Sequence, residues 1–252
     1  MEIQSRHWQY WFQHSLDSLN FDIAQAELHQ HPRQSILTHI ACLEDKGCRR
    51  FYSILRSREN DRVNTASPED KWHNELDCIL SVDFWNESWK SLSRLKMNND
   101  LKWIAYQIIR NNLKTNVIVS KFIPIVNPSC SFCAESLENV LHLMYECPHV
   151  QNFWRSLNEF LVENSIPPLP MSRTTILFGN HDEKPNSLAN TLILLGKKFV
   201  WSAKFKDTVP RLNIFKYVLR DYVSNLKMVS NILQKEEEFE QIWGLLYLML
   251  SM

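Results

Sequence analysis

Three cysteines and one histidine fall within an 18-residue window of this 252-residue chain. Cys130, Cys133, His142 and Cys147 form the array C-x2-C-x8-H-x4-C. Thiolate sulfur and imidazole nitrogen are the donors that zinc gathers into a tetrahedron. A Cys-x-x-Cys pair folds into a tight turn that aims two sulfurs at one point. The His-x4-Cys half supplies the other two ligands, with His142 expected on a short helix and Cys147 just past its end. Pro128 and Pro148 bracket the segment, and both interrupt regular structure. The reading is a structural Zn²⁺ site, a small zinc knuckle. The plainer alternative is four ordinary core residues, which this spacing disfavours. A redox Cys-x-x-Cys is a third reading, but no βαβ pattern surrounds the pair as thioredoxin-like motifs require.

Composition limits what else the chain can do. Only four glycines occur, at 47, 179, 196 and 244. Neither G-x-G-x-x-G nor G-x-x-x-x-G-K can be built from them, which removes two phosphate-binding loops. Hydrophobic residues make up 44% of the chain, and nine are Trp. That is enough for a sizeable core and argues against disorder throughout. The six cysteines suit a reducing, intracellular setting, either nucleus or cytoplasm. Cys42, Cys48 and Cys78 are left without evident partners. The N-terminus lacks the apolar stretch of a secretory signal. The terminal run IWGLLYLMLSM has 11 residues, against the roughly 20 of a spanning helix. It reads as a packed helix, not a membrane anchor.

A formal net charge of zero hides an uneven distribution. From Ser88 to Ser129, Lys90, Arg94, Lys96, Lys102, Arg110, Lys114 and Lys121 are set against Asp100 alone. A second basic stretch runs from Lys184 to Lys227. Basic segments on both sides of a small zinc site can form a nucleic-acid footprint. They can equally be solvated helix faces.

Local signals predict the elements that carry these residues. Polar residues 57–70 mark a loop or linker. Ser67 and Pro68 then open a helix, with Glu69 and Asp70 at its positive end. Another starts after Ser81. Residues 100–113 give the cleanest amphipathic pattern, with Leu101, Ile104, Ala105, Ile108 and Ile109 on one stripe. Lys102, Trp103, Tyr106 and Arg110 lie off that stripe, where rings can stack on bases and cations can meet phosphates. NVIVSKF at 116–122 reads as a short helix capped by Thr115 or Asn116, and VIVSKFIPIV at 117–126 as a competing strand. After Pro148, Val150, Phe153, Trp154, Leu157 and Leu161 share a face expected to clamp the zinc site to the body. The cluster HDEK at 181–184 reads as a polar loop in preference to a catalytic carboxylate site. Helical patterns at 187–206, 210–233 and 235–250 close the chain. The fold expected is mostly α, an irregular multi-helix bundle with a small zinc-knuckle insertion. The divisions drawn are an N-terminal helical segment 1–66, a zinc-knuckle helical domain 67–170 and a C-terminal helical tail 171–252. His29 and His31 lack a third ligand at useful spacing and read as surface histidines.

From Lys71 to Leu226 the order of features resembles the reverse-transcriptase zinc-binding domain, the C-terminal region of LINE-type (non-LTR) retrotransposon polyproteins. KWHNEL and DFWNESW stand where that family has a Lys-Trp segment and a Trp-rich helix. AYQIIRNNLKTN at 105–116 resembles its next helix and Thr-Asn pair. Cys130, Phe132, Cys133, Glu138, His142, Leu143, Cys147, Pro148, Phe153 and Trp154 follow its knuckle pattern. LFG at 177–179 and LILLGKKFVWSAKF resemble its helical tail. The resemblance implies a structural Zn²⁺ and the handling of RNA or DNA.

The chain departs from the family in its catalytic parts. It has no Asp-Asp dipeptide, so the paired aspartates that hold two Mg²⁺ in a polymerase are missing. Few residues precede the resembling region, so the chain reads as the family's tail standing alone. No polymerase or nuclease activity is expected. RNA or single-stranded DNA is the expected partner, through Lys102, Arg110, Lys114, Lys121 and Phe132, with Phe132 in the Cys-x-x-Cys turn either placed to stack on a base or packed on the helix that carries Trp154. The alternative is a zinc-stapled module that docks a protein through its C-terminal helices. A thiol-dependent enzyme using Cys130 or Cys133 is the remotest reading.

Overall fold

The computed structural model describes residues 67–251. The described residues fall in one compact unit. The N-terminal segment 1–66, His29, His31, Cys42 and Cys48 lie outside the described residues.

Nine α-helices and one π-helical turn are present among the described residues: α1 Pro68–Leu76, α2 Val82–Arg94, α3 Asn99–Ile109, α4 Asn116–Ser120, the π-turn His142–Glu146, α5 Pro148–Glu163, α6 Arg173–Phe178, α7 Leu188–Lys204, α8 Leu212–Ile232 and α9 Glu236–Ser251. No strand occurs among the described residues; one antiparallel bridge, Ser129 to Leu137, stands in the knuckle. The mostly α fold read from the sequence is what forms.

Local chemistry starts most of these helices. Ser67 accepts from Asp70 N–H while the Asp70 carboxylate accepts from Ser67 N–H, a reciprocal capping box. Ser81, Asn98, Ser172 and Ser187 cap α2, α3, α6 and α7 through side-chain oxygens. The competition between helix and strand after Thr115 resolves as the short α4.

The core is continuous across the unit. All five residues of the α3 stripe are buried. Trp72 on α1 donates its indole N–H to Ile108 O and Ile109 O, both at 3.0 Å, satisfying carbonyls at the α3 C-terminus. Phe178 collects the edges of Trp72, Phe84 and Trp85 at centroid distances of 5.2–5.4 Å. α7 is buried over most of its surface and packs on α3, α8 and the π-turn. The boundary drawn at 170/171 therefore has no counterpart in the packing. Helices from both sides of it bury one shared core, and a cut there would expose α7 and α5 alike.

Gly196 shows how tightly α7 meets the knuckle side. A Cβ there would stand 2.6 Å from Trp154 Cζ3, on a ring that is itself fully buried. The Trp154 indole donates to Met144 O at 3.0 Å, in the π-turn that carries His142. Gly196→Ala should therefore destabilise the fold by about 1–3 kcal/mol through overpacking, outweighing the roughly 1 kcal/mol that Ala gains in helix propensity. Chemical denaturation of the two proteins checks this; an Ala variant as stable as wild type would refute it.

Candidate metal centre

The knuckle starts from a short backbone ladder. Cys130 N–H donates to Ser136 O at 2.8 Å and Glu138 N–H to Pro128 O at 2.9 Å. Ala134 N–H closes the Cys-x-x-Cys turn onto Cys130 O at 2.9 Å, with Ala134 itself at φ 58. On the other side, the Asn139 carboxamide oxygen accepts from His142 N–H at 2.7 Å and sets the turn of helix. Cys147 N–H donates to His142 O at 2.8 Å, an i→i+5 bond. That wider π-turn places the His142 ring and the Cys147 sulfur on the same side.

The four donor atoms lie within 4.8 Å of one another. Cys130 Sγ and Cys147 Sγ are 3.8 Å apart, and Cys133 Sγ is 3.4 Å from His142 Nε2. Two sulfurs about 2.3 Å from a tetrahedral zinc stand about 3.8 Å apart, and a sulfur and an imidazole nitrogen about 3.6 Å apart. The donor set and its spacing fit the ion. Cys130, His142 and Cys147 are buried and Cys133 is half-buried, so the site is closed and staples the chain.

The protein also favours anionic sulfur here. The contact with Cys147 Sγ holds the Cys130 thiol down, to about 5, and the same contact pushes Cys147 up. Cys130 and Cys147 would hold a divalent cation as thiolates, with their protons released to solvent. Phe132 N–H donates to Cys130 Sγ at 3.4 Å. Cys147 is the N-cap of α5, and the amides of Val150 and His149 at that positive helix end favour its thiolate. Three thiolates around Zn²⁺ leave a net negative centre, and these N–H groups offset it.

A buried carboxylate ties the site to the rest of the fold. Glu138 is fully buried and forms an ion pair with Lys204, on the last turn of α7. Glu138 Oε1 also accepts from Asn116 N–H at 2.9 Å, standing in for the missing side-chain cap of α4. Its Oε2 accepts from Ser131 N–H at 2.8 Å and Ser131 Oγ–H at 2.6 Å, inside the Cys-x-x-Cys turn. Lys204 Nζ donates to Asn116 Oδ1 at 2.7 Å, and Asn116 Nδ2 donates to Ser129 O at 2.8 Å. Knuckle, α4 and α7 thus meet on one polar knot. Glu138 figured in the family resemblance without a role, and Lys204 and Asn116 were not singled out as its partners. No local signal announces a pair 66 residues apart.

The other residues picked from the sequence are distributed as follows. Lys114 and Lys121 are exposed, Lys102 is half-buried, and none of the three makes an ion pair among the described residues. Arg110 is exposed and holds its guanidinium 5.7 Å from the Tyr106 ring centre, donating to Tyr106 Oη at 3.3 Å. Of the two readings of Phe132, the packed one matches its position. It is half-buried and packs against the hydrophobic core, because the turn folds back onto the body. Within HDEK, His181 Nε2 lies 3.2 Å from Ser88 Oγ and its ring packs on Phe84 at 4.6 Å. Asp182, Glu183 and Lys184 are exposed. That arrangement anchors a loop to α2.

The family model described as zinc-binding in reverse transcriptase matches residues 48–154. The match ends at Trp154, on the helix whose N-terminus carries the last ligand. No curated protein matches the chain. Among the described residues no helix is long and apolar enough to cross a membrane.

Proposed function

We propose that this chain is a non-catalytic nucleic-acid-binding module built on a structural Zn²⁺ held by Cys130, Cys133, His142 and Cys147, similar to the tail of LINE-type reverse transcriptases. The ion's chemistry is that of a cross-link: it joins the Cys-x-x-Cys turn to the start of α5. The observation that carries the binding reading is the outward face of α3. Trp103 and Tyr106 are 43% and 39% exposed there, Lys102 lies alongside, and Arg110 sits over the Tyr106 ring. Trp89 meets Tyr106 edge-on at 6.2 Å. Aromatic faces interleaved with cations suit RNA or single-stranded DNA, with bases stacking and phosphates meeting Lys and Arg. Lys114 and Lys121 extend the cationic surface toward the knuckle, which α4 adjoins through Asn116 and Glu138. Phe132 contributes packing to this face more than a free ring. The module would act inside the cell, in nucleus or cytoplasm, where its thiols stay reduced.

Salt dependence tests the reading. Four phosphate contacts on a single strand give a slope of log K against log [salt] of about −3. Charge reversal at Arg110 and Lys114 should flatten that slope by about 1.4, two contacts' worth, and leave zinc content unchanged. The competing reading is protein docking through the C-terminal helices, where Met228, Ile232 and Leu233 of the α8 end and Leu245 and Leu248 of α9 are exposed. No nucleic-acid affinity at low salt, together with salt-insensitive capture of a protein, would favour that reading. Primer extension or strand cleavage by the pure chain with Mg²⁺ would overturn the non-catalytic part.

A further inference from the structure

We propose that the loop after α4 is a wedge that inserts Phe122 and Ile125 at a break in the base stack of a bound nucleic acid, which rests on the nucleic-acid reading above. The loop reads Lys121-Phe122-Ile123-Pro124-Ile125-Val126. Its backbone is folded back on itself: Phe122 N–H and Ile123 N–H both donate to Val119 O, at 3.0 and 2.9 Å, and Val126 N–H donates to Ile123 O at 3.0 Å. This is a built turn, yet it turns its apolar side chains outward. Phe122 is 80% exposed, Ile125 92% and Ile123 49%. Consecutive large apolar side chains held in water by an ordered turn mark a contact surface.

Charge selects the occupant. From Leu101 to Ala134 the chain carries Lys102, Arg110, Lys114 and Lys121 and no acid at all. Glu138, in the knuckle segment that α4 adjoins, is fully buried and paired with Lys204. Glu135, the residue after Ala134, is exposed in the knuckle turn. The tip is thus an apolar point on a stretch, 101–134, whose charges are all cationic, which suits a polyanion that also offers apolar surfaces to slide between. Proteins that kink nucleic acids use Phe, Ile and Pro in this way, inserted between base steps. Unstacking a step is easiest where a base is already unpaired. The ligand class is therefore a duplex interrupted by a bulge or by a junction with a single strand. The base of the wedge is rigid, because Asn116 and Glu138 fasten α4 to the knuckle. The metal site would hold the tip in place.

The experiment uses the full, zinc-loaded chain and three 2-aminopurine-labelled oligonucleotides: an intact duplex, a duplex with one bulged base, and a duplex–single-strand junction. Wild type should bind bulge and junction more tightly than the intact duplex and change the fluorescence of the probe beside the break. Phe122→Ala should weaken bulge and junction binding by about 5- to 140-fold, the range of one lost base stack. Intact-duplex affinity should stay nearly level. The side chain is mostly in solvent, so the variant should fold as wild type does. Wild-type affinity and fluorescence in both Phe122→Ala and Ile125→Ala would overturn the wedge and leave nucleic-acid binding standing. Failure of wild type to bind any of the three would remove both readings. Phe122-dependent binding to phosphatidylserine-containing vesicles, with no effect on oligonucleotides, would also overturn the wedge and assign the tip to a lipid surface.

Discussion

Cys147→Ser should abolish stoichiometric zinc and collapse the region from Pro128 to the start of α5. Apparent binding free energies of structural zinc in small zinc peptides run to about 10–16 kcal/mol, comparable to the whole stability of a typical domain. Here the ion would hold two segments that otherwise share only a few backbone bonds. Serine keeps the shape of the side chain but not the thiolate, and three ligands do not close a tetrahedron. Cys147 also sits at the N-cap of α5, whose buried face includes Phe153, Trp154 and Leu157. Loosening that end frays a helix that puts six side chains into the core. Each kcal/mol lost moves the melting temperature of a domain this size by about 2–4 °C, so a drop of at least about 10 °C is expected. Chelation of wild type should reproduce it, and zinc should restore the wild type but not the variant. Cys78→Ser is the control, because Cys78 is exposed and lies outside the site. Metal analysis showing one zinc in wild type and in Cys78→Ser, and none in Cys147→Ser, is the expected pattern. Equal zinc in all three would remove the metal from the account.

Glu138→Ala should be nearly as damaging, although Glu138 touches no metal. Truncation leaves the Lys204 ammonium buried, with Asn116 Oδ1 as its remaining hydrogen-bond partner. Breaking a buried ion pair from one side costs about 3–5 kcal/mol. The Ser131 and Asn116 amides lose their acceptor in the same step. Lys204→Met should be milder, since Glu138 would keep three donors: Asn116 N–H, Ser131 N–H and Ser131 Oγ–H. The double variant Glu138→Ala with Lys204→Met should recover part of the loss, because no unpaired charge remains buried. Because Ser131 follows Cys130 directly, the variant should also weaken zinc binding, by about 10- to 100-fold as for other groups that orient metal ligands. A competition titration with a zinc indicator measures that arm and thermal unfolding the other. A Glu138→Ala protein as stable as wild type would show the pair to be dispensable.

The spacing of Cys130, Cys133, His142 and Cys147 was legible because metal ligation depends on residue type and short intervals, and both are written along the chain. The starts of α1, α2, α5 and α9 were legible for the same reason. Caps, prolines and acidic first turns act within one helical turn. The α3 stripe was readable because its period of 3.6 decides which residues turn inward, and all five did. What required the tertiary structure acts across long separations. The Glu138–Lys204 pair joins a knuckle residue to a helix end 66 positions later, and neither residue differs locally from a solvated charge. The role of Gly196 has no signal along the chain, because it depends on the Trp154 ring packed against it. Phe132 reads equally as a free ring or a packed one until the turn is seen to fold onto the core. The boundary at 170/171 follows a genuine Pro-rich loop, but a loop marks where helices stop and not where packing stops. Burial and ion pairing are decided by what arrives from elsewhere in the chain, and that depends on how the helices pack in three dimensions.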